Sequence, residues 1–140
     1  MSAPIRIVVA DDHPVVREGL AAIIRRQPDM LVVGEAANGK EALDLCLADA
    51  PDLVLMDLRM PVMDGVGAIR AITAEFPAAR ILALTTYEGD VDIRRALEAG
   101  ARGYLLKDML LTEVITAVHA VRRGERVIPA TVTRGLIHLD

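Results

Sequence analysis

Aromatic side chains are almost missing from this chain. Tryptophan does not occur, and phenylalanine and tyrosine together make up only 2% of the residues. Stacking on exposed bases, a common way of holding single-stranded nucleic acid, therefore has little to work with. Cysteine is nearly as scarce. The lone Cys46 excludes an internal disulfide, and its place in a helical pattern reads as a small buried hydrophobe in a cytoplasmic protein. No apolar run reaches the roughly eighteen residues that would suggest a membrane span, and the first six residues lack the basic-then-apolar order of a signal peptide. A net charge of −4 gives no global attraction to nucleic acid. Lysine occurs only at Lys40 and Lys107, which makes each one worth placing.

What is present is a core. With 140 residues and 53% apolar content, the chain has the length and composition of one folded domain. Five short Val/Ile/Leu-rich runs, Ile5–Ala10, Leu31–Glu35, Leu53–Met56, Ile81–Thr85 and Gly103–Leu106, are apolar on successive residues. Strands covered on both faces read this way. Helical spacing fills the gaps: Val16, Leu20, Ile23 and Ile24; Val66, Ile69 and Ile72; Ile93, Ala96 and Leu97; Leu111, Val114, Ile115 and Val118. Pro28, Pro51, Pro77 and Gly100 stand where helices should stop, and Asn38-Gly39 and Asp64-Gly65 mark turns into helices. Alternating strands and helices with right-handed crossovers predict an α/β fold, a doubly wound parallel sheet with helices on both faces.

Ligands of such sheets bind at the carboxyl ends of the strands. Strand one ends in Asp11-Asp12, strand three in Asp57, strand four in Thr85-Thr86 and strand five in Lys107. Close carboxylates repel unless a cation joins them, and oxygen donors suit a hard ion such as Mg²⁺. No His/Cys cluster with zinc or copper spacing is seen; His13, His119 and His138 are scattered along the chain. A carboxylate left over from cation binding can act as a nucleophile toward phosphorus, helped by a lysine and by hydroxyl or N–H donors. Asp57, at the end of an apolar run and before a Pro/Gly-containing loop, is expected to stand exposed for reaction.

The segments Asp11-Asp12, "LMDLRMPVMDG", "ALTTYEGD" and "ALEAGARGYLLKD" resemble the receiver domain of two-component response regulators. "DDHPVVREGL" and "GARGYLLKD" most resemble the subfamily whose receivers precede a LuxR/NarL-type helix-turn-helix. The resemblance implies a flavodoxin-like sheet of order 2-1-3-4-5 and Mg²⁺-dependent transfer of a phosphoryl group from a partner histidine kinase to Asp57. It implies that Asp12 is the principal Mg²⁺ carboxylate, Asp11 its neighbour, and the Arg59 backbone carbonyl a further ligand beside Asp57. Thr85 is then the switch hydroxyl, the Thr86 backbone N–H lies near the phosphoryl group, and Lys107 pairs with the phosphoryl oxygens. The resemblance also implies that Tyr104 swings inward when Thr85 moves; Tyr87, two residues beyond Thr85, is expected from its position to shield the acyl phosphate from water. Asp108, where many relatives carry a cis proline, is expected to follow a trans bond.

Two other classes were open on the same residues. An aspartate-nucleophile phosphohydrolase would carry Asp-x-Asp on the first strand and a cap segment, and neither is visible. A silent docking module would lack one of the acceptor, acidic pair, threonine or lysine, and all are present. "GVGAIR", Gly65 to Arg70, lacks the third glycine of a dinucleotide fingerprint. Arg25-Arg26, Arg94-Arg95 and Arg122-Arg123 read as solvated faces, and helices four and five as a dimer surface in the resembled family. Residues 1–123 are expected to form the receiver and residues 124–140 a connector toward a helix-turn-helix domain that this chain lacks. The chain is thus expected to be a receiver cut from a longer regulator or a stand-alone one, and to bind no DNA by itself; promoter DNA would be bound through the missing domain.

Overall fold

The computed structural model describes residues 3–85, 90–107 and 110–128, with the side chains of 90–92 and 110–112 left aside. Five strands alternate with five helices: β1 (Ile5–Ala10), α1 (Pro14–Arg25), β2 (Met30–Ala36), α2 (Gly39–Asp49), β3 (Leu53–Asp57), α3 (Gly65–Glu75), β4 (Arg80–Thr85), α4 (Asp90–Ala99), β5 (Gly103–Leu106) and α5 (Leu110–Arg122). Every pairing is parallel and the sheet order is β2-β1-β3-β4-β5. The doubly wound sheet and its implied order are therefore both found. Strand limits differ from the sequence reading by at most one residue at either end.

Period-two alternation divides the core in two. Ile7 and Val9, Leu53 and Leu55, Leu82 and Leu84, and Leu105 face α1 and α5, where they meet Leu20, Ile24, Val114 and Val118. Val8 and Ala10, Val54 and Met56, Ile81 and Ala83, and Tyr104 and Leu106 face the other way, against Cys46 of α2, Ile69 and Ile72 of α3, and Ile93 and Ala96 of α4. Burial of apolar area on both faces is the main stabilising term for a sheet of this kind.

Two of the turn signals act as helix caps. Asn38 Oδ1 accepts from the Glu41 N–H at 2.9 Å, and Asp64 Oδ1 from the Gly67 N–H at 2.7 Å. Each occupies one of the orphan donors at a helix start. The three arginine pairs lie exposed, as the sequence suggests. Beyond α5 the chain turns at Gly124, and Val127 comes back against the free edge of β5. There the Tyr104 N–H donates to the Val127 carbonyl at 2.8 Å. The start of the expected connector thus lies on the sheet edge. Among the described residues no helix is long and apolar enough to cross a membrane.

Candidate functional site

The same alternation assembles the strand-end residues. Asp11 follows Val9 by two positions, Asp57 follows Leu55, and Lys107 follows Leu105, so all three leave the strands with the parity of the α1/α5 face. Thr85 and Tyr104 have the opposite parity. Thr85 pairs in register with Leu106 and Ala83 with Tyr104, so the hydroxyl and the ring share the α2–α4 face of neighbouring strands.

At the rim, the Lys107 ammonium lies 2.7 Å from Asp11 Oδ2 and 3.1 Å from Asp57 Oδ2. The Arg59 N–H donates to Asp57 Oδ1 at 3.2 Å, which brings that peptide beside the carboxylate. Asp12 is half-buried at the mouth. Oxygen atoms of Asp11, Asp12 and Asp57 and a ring nitrogen of His13 all lie within 4.8 Å of one another.

Two readings of the sequence need correction. Asp57 is not exposed: only 2% of its surface meets solvent, and Asp11 is fully covered. Gly65, the first residue of α3, lies against the Asp57 backbone. A Cβ there would run into the Asp57 carbonyl oxygen and lie 2.6 Å from Leu58 Cα, so only glycine lets the helix start so close to the strand end. His13 is not scattered away from the acids either. Its N–H donates to Asp11 Oδ1 at 2.9 Å, and its ring Nδ1 lies 3.2 Å from Asp11 Oδ1 and 3.1 Å from Asp12 Oδ1. The available signal was its position, directly after the acidic pair and before the Pro14 that opens α1.

Burial decides the electrostatics. The Asp57 carboxyl is pushed up to about 6, first because burial strips water from the charged form and next because Asp11 repels it; Lys107 and the Arg59 N–H oppose both. Desolvation pulls the Lys107 ammonium down, but its bonds to Asp11 and Asp57 outweigh this and hold it above its ordinary value. Three carboxylates against one ammonium leave two negative charges, which is the charge of one divalent cation. The donor set, mainly carboxylate oxygen, fits a hard ion. Thr85 is buried at the end of β4 and Tyr104 is fully buried on β5. Thr86, Tyr87 and the Lys107–Asp108 bond lie outside the described residues.

The model of the response regulator receiver domain matches residues 7–119. Among curated proteins, the transcriptional regulatory protein LnrK of Bacillus subtilis (strain 168) is 41% identical over 134 residues, covering 96% of this chain and 61% of its own length. The other curated relatives are also covered only in part, so the chain spans about three fifths or less of each. Among solved structures, a two-component response regulator of the LuxR family from Aurantimonas sp. SI85-9A1 superposes with a TM-score of 0.91 at 38% identity, covering 97% of both chains. The RcsB response regulator of Salmonella typhimurium, solved in a study of DNA interaction, matches with a TM-score of 0.86 at 26% identity, over 96% of this chain and 68% of its own.

Proposed function

This chain belongs to the response regulator receiver family, and on that premise we propose that it accepts a phosphoryl group on Asp57 from a histidine kinase and changes conformation in response. The observation that carries the reading is the grouping of Asp57 with Asp11, Asp12 and Lys107 at the carboxyl edge of the sheet. Asp11, Asp12, Asp57 and the Arg59 carbonyl would hold Mg²⁺, which when bound supplies positive charge for the phosphoryl oxygens and keeps Asp57 ionised at neutral pH.

The chain's own groups account for the rest. An Asp57 carboxylate oxygen attacks phosphorus as the bond to the donor's imidazole nitrogen breaks, so the phosphoryl group changes carrier and no redox step occurs. Lys107 brings the ammonium that pairs with the incoming oxygens. Thr85 and the Thr86 N–H complete the donors. Thr85 moving toward the phosphoryl group would alter packing against Tyr104 on the same face, which transmits the event toward α4 and β5. A covalent group shifts such an equilibrium only through its differential contacts with the two states. The role is that of a phosphoacceptor switch rather than a metabolic enzyme.

In this reading residues 1–123 form the receiver and 124–140 lead toward a helix-turn-helix domain. The full-length protein is a cytoplasmic transcription regulator that binds promoter DNA, with the receiver's helices available for homodimer formation. LnrK and RcsB, named for transcriptional regulation and DNA interaction, support that extension. Incubation with acetyl phosphate and Mg²⁺ followed by intact mass tests the core of it. A single phosphoryl adduct is expected on the wild type and none on Asp57→Asn. Modification mapped to Asp11 or Asp12 would overturn the assignment.

A further inference from the structure

Arg17 stands in the first turns of α1 and its guanidinium reaches in two directions. Nη1 donates to the backbone carbonyl of Asp11 at 2.9 Å, while Nε pairs with Glu35 Oε1 at 3.5 Å. Glu35 lies on β2 opposite Val9, and its other oxygen takes Arg25 at 3.1 Å. The Arg17 side chain is only 19% exposed against 56% for Arg25, so it is packed in place by its surroundings. The Asp11 N–H donates to the Ala36 carbonyl at 3.0 Å. The residue that opens the acidic pair is thus held at its N–H by the edge strand and at its carbonyl by Arg17. That carbonyl belongs to the peptide joining Asp11 to Asp12, and its orientation sets where both carboxylates start.

We propose that Arg17 is a positioning residue that aims the Asp11 and Asp12 carboxylates at a bound Mg²⁺, an inference that rests on reading those two residues as metal carboxylates. Charge alone argues the other way. A guanidinium beside the acidic pair repels an arriving cation, so removing it should tighten Mg²⁺ binding. Loss of positioning should weaken it, since groups that orient metal ligands typically change affinity by about 10–100-fold. The sign of the effect therefore separates the two.

The experiment is a Mg²⁺ titration of the intact chain followed by amide NMR, with urea unfolding as a check on the fold. Arg17→Met keeps the apolar stem and removes the guanidinium. Its Kd for Mg²⁺ should rise about tenfold. Arg17→Lys keeps the charge but offers one compact donor group that cannot serve Asp11 and Glu35 in the same fork, so its Kd should also rise, by less than that of Arg17→Met. A charge-only role predicts tighter binding for Arg17→Met and no change for Arg17→Lys. Equal or tighter Mg²⁺ binding by Arg17→Met overturns the proposal; should that variant not fold, an unchanged Kd in Arg17→Lys does so. A wild type that binds no Mg²⁺ would instead sink the reading of the acidic pair on which the proposal stands.

Discussion

Replacing Asp57 with asparagine should make the metal-free chain more stable, and by an amount that depends on pH. In the fold this carboxyl titrates at about 6 against an ordinary 3.8, chiefly through desolvation and then through Asp11. A raised carboxyl pKa means that the native state favours the protonated form. The group's stabilising contribution is then complete below about 3.8 and is lost as pH climbs through about 6. The shift of about two units, at 1.36 kcal/mol per unit, amounts to roughly 3 kcal/mol working against the native state at pH 8. Asparagine has nearly the same shape and no charge, so it removes that penalty, and Lys107 keeps Asp11 at 2.7 Å as a partner. With EDTA present, urea unfolding followed by far-ultraviolet circular dichroism should place Asp57→Asn about 3 kcal/mol above the wild type at pH 8, or roughly 10 °C in Tm. The gap should close as pH falls to 4. Adding Mg²⁺ should narrow it at pH 8, because a ligand of the native state stabilises whichever chain binds it better. A variant no more stable than wild type at pH 8, or a gap equal at both pH values, would refute the account of a strained carboxylate.

Three further outcomes follow from the same geometry. Gly65→Ala should destabilise the domain by about 1–3 kcal/mol and weaken Mg²⁺ binding, because the new Cβ must push the Asp57 backbone aside; chemical denaturation and a Mg²⁺ titration would read both, and an unchanged midpoint would count against that contact. Asp12→Ala should weaken Mg²⁺ binding while leaving the metal-free fold at least as stable, since it removes a like charge at a half-exposed position; a clear loss of stability in EDTA would contradict this. Burial pushes the Cys46 thiol up to about 11, so it should resist a thiol reagent at pH 8 until the chain unfolds; rapid labelling of the native protein would show the helix–sheet seam to be open.

The strands and their order of appearance were legible because their signals are local. A strand covered on both faces must be apolar at successive positions, and Ile5–Ala10 and Gly103–Leu106 are delimited in the sequence just as they are in the structure. The rim residues were legible for a related reason: a strand that ends in Asp or Lys places that side chain at the sheet edge whatever surrounds it. Strand order came only with the resemblance to a known family, since periodicity says nothing about which strands are neighbours.

What tertiary structure decided is how deep the rim lies and what else reaches it. The Asp57 position looked exposed because a polar residue after an apolar run usually is. Its burial comes with the packed fold around the strand end, where the first residue of α3, Gly65, lies against the Asp57 backbone. His13 follows the acidic pair directly and was within reach of a sequence argument, whereas Arg17, six residues beyond Asp11, meets its carbonyl only once the chain has turned into α1. The apolar pattern of this chain determines that a cluster of carboxylates and one lysine forms at a sheet edge. The depth of that cluster and the raised pKa of Asp57 come from burial in the folded domain and from the nearby Asp11, and no local pattern encodes either.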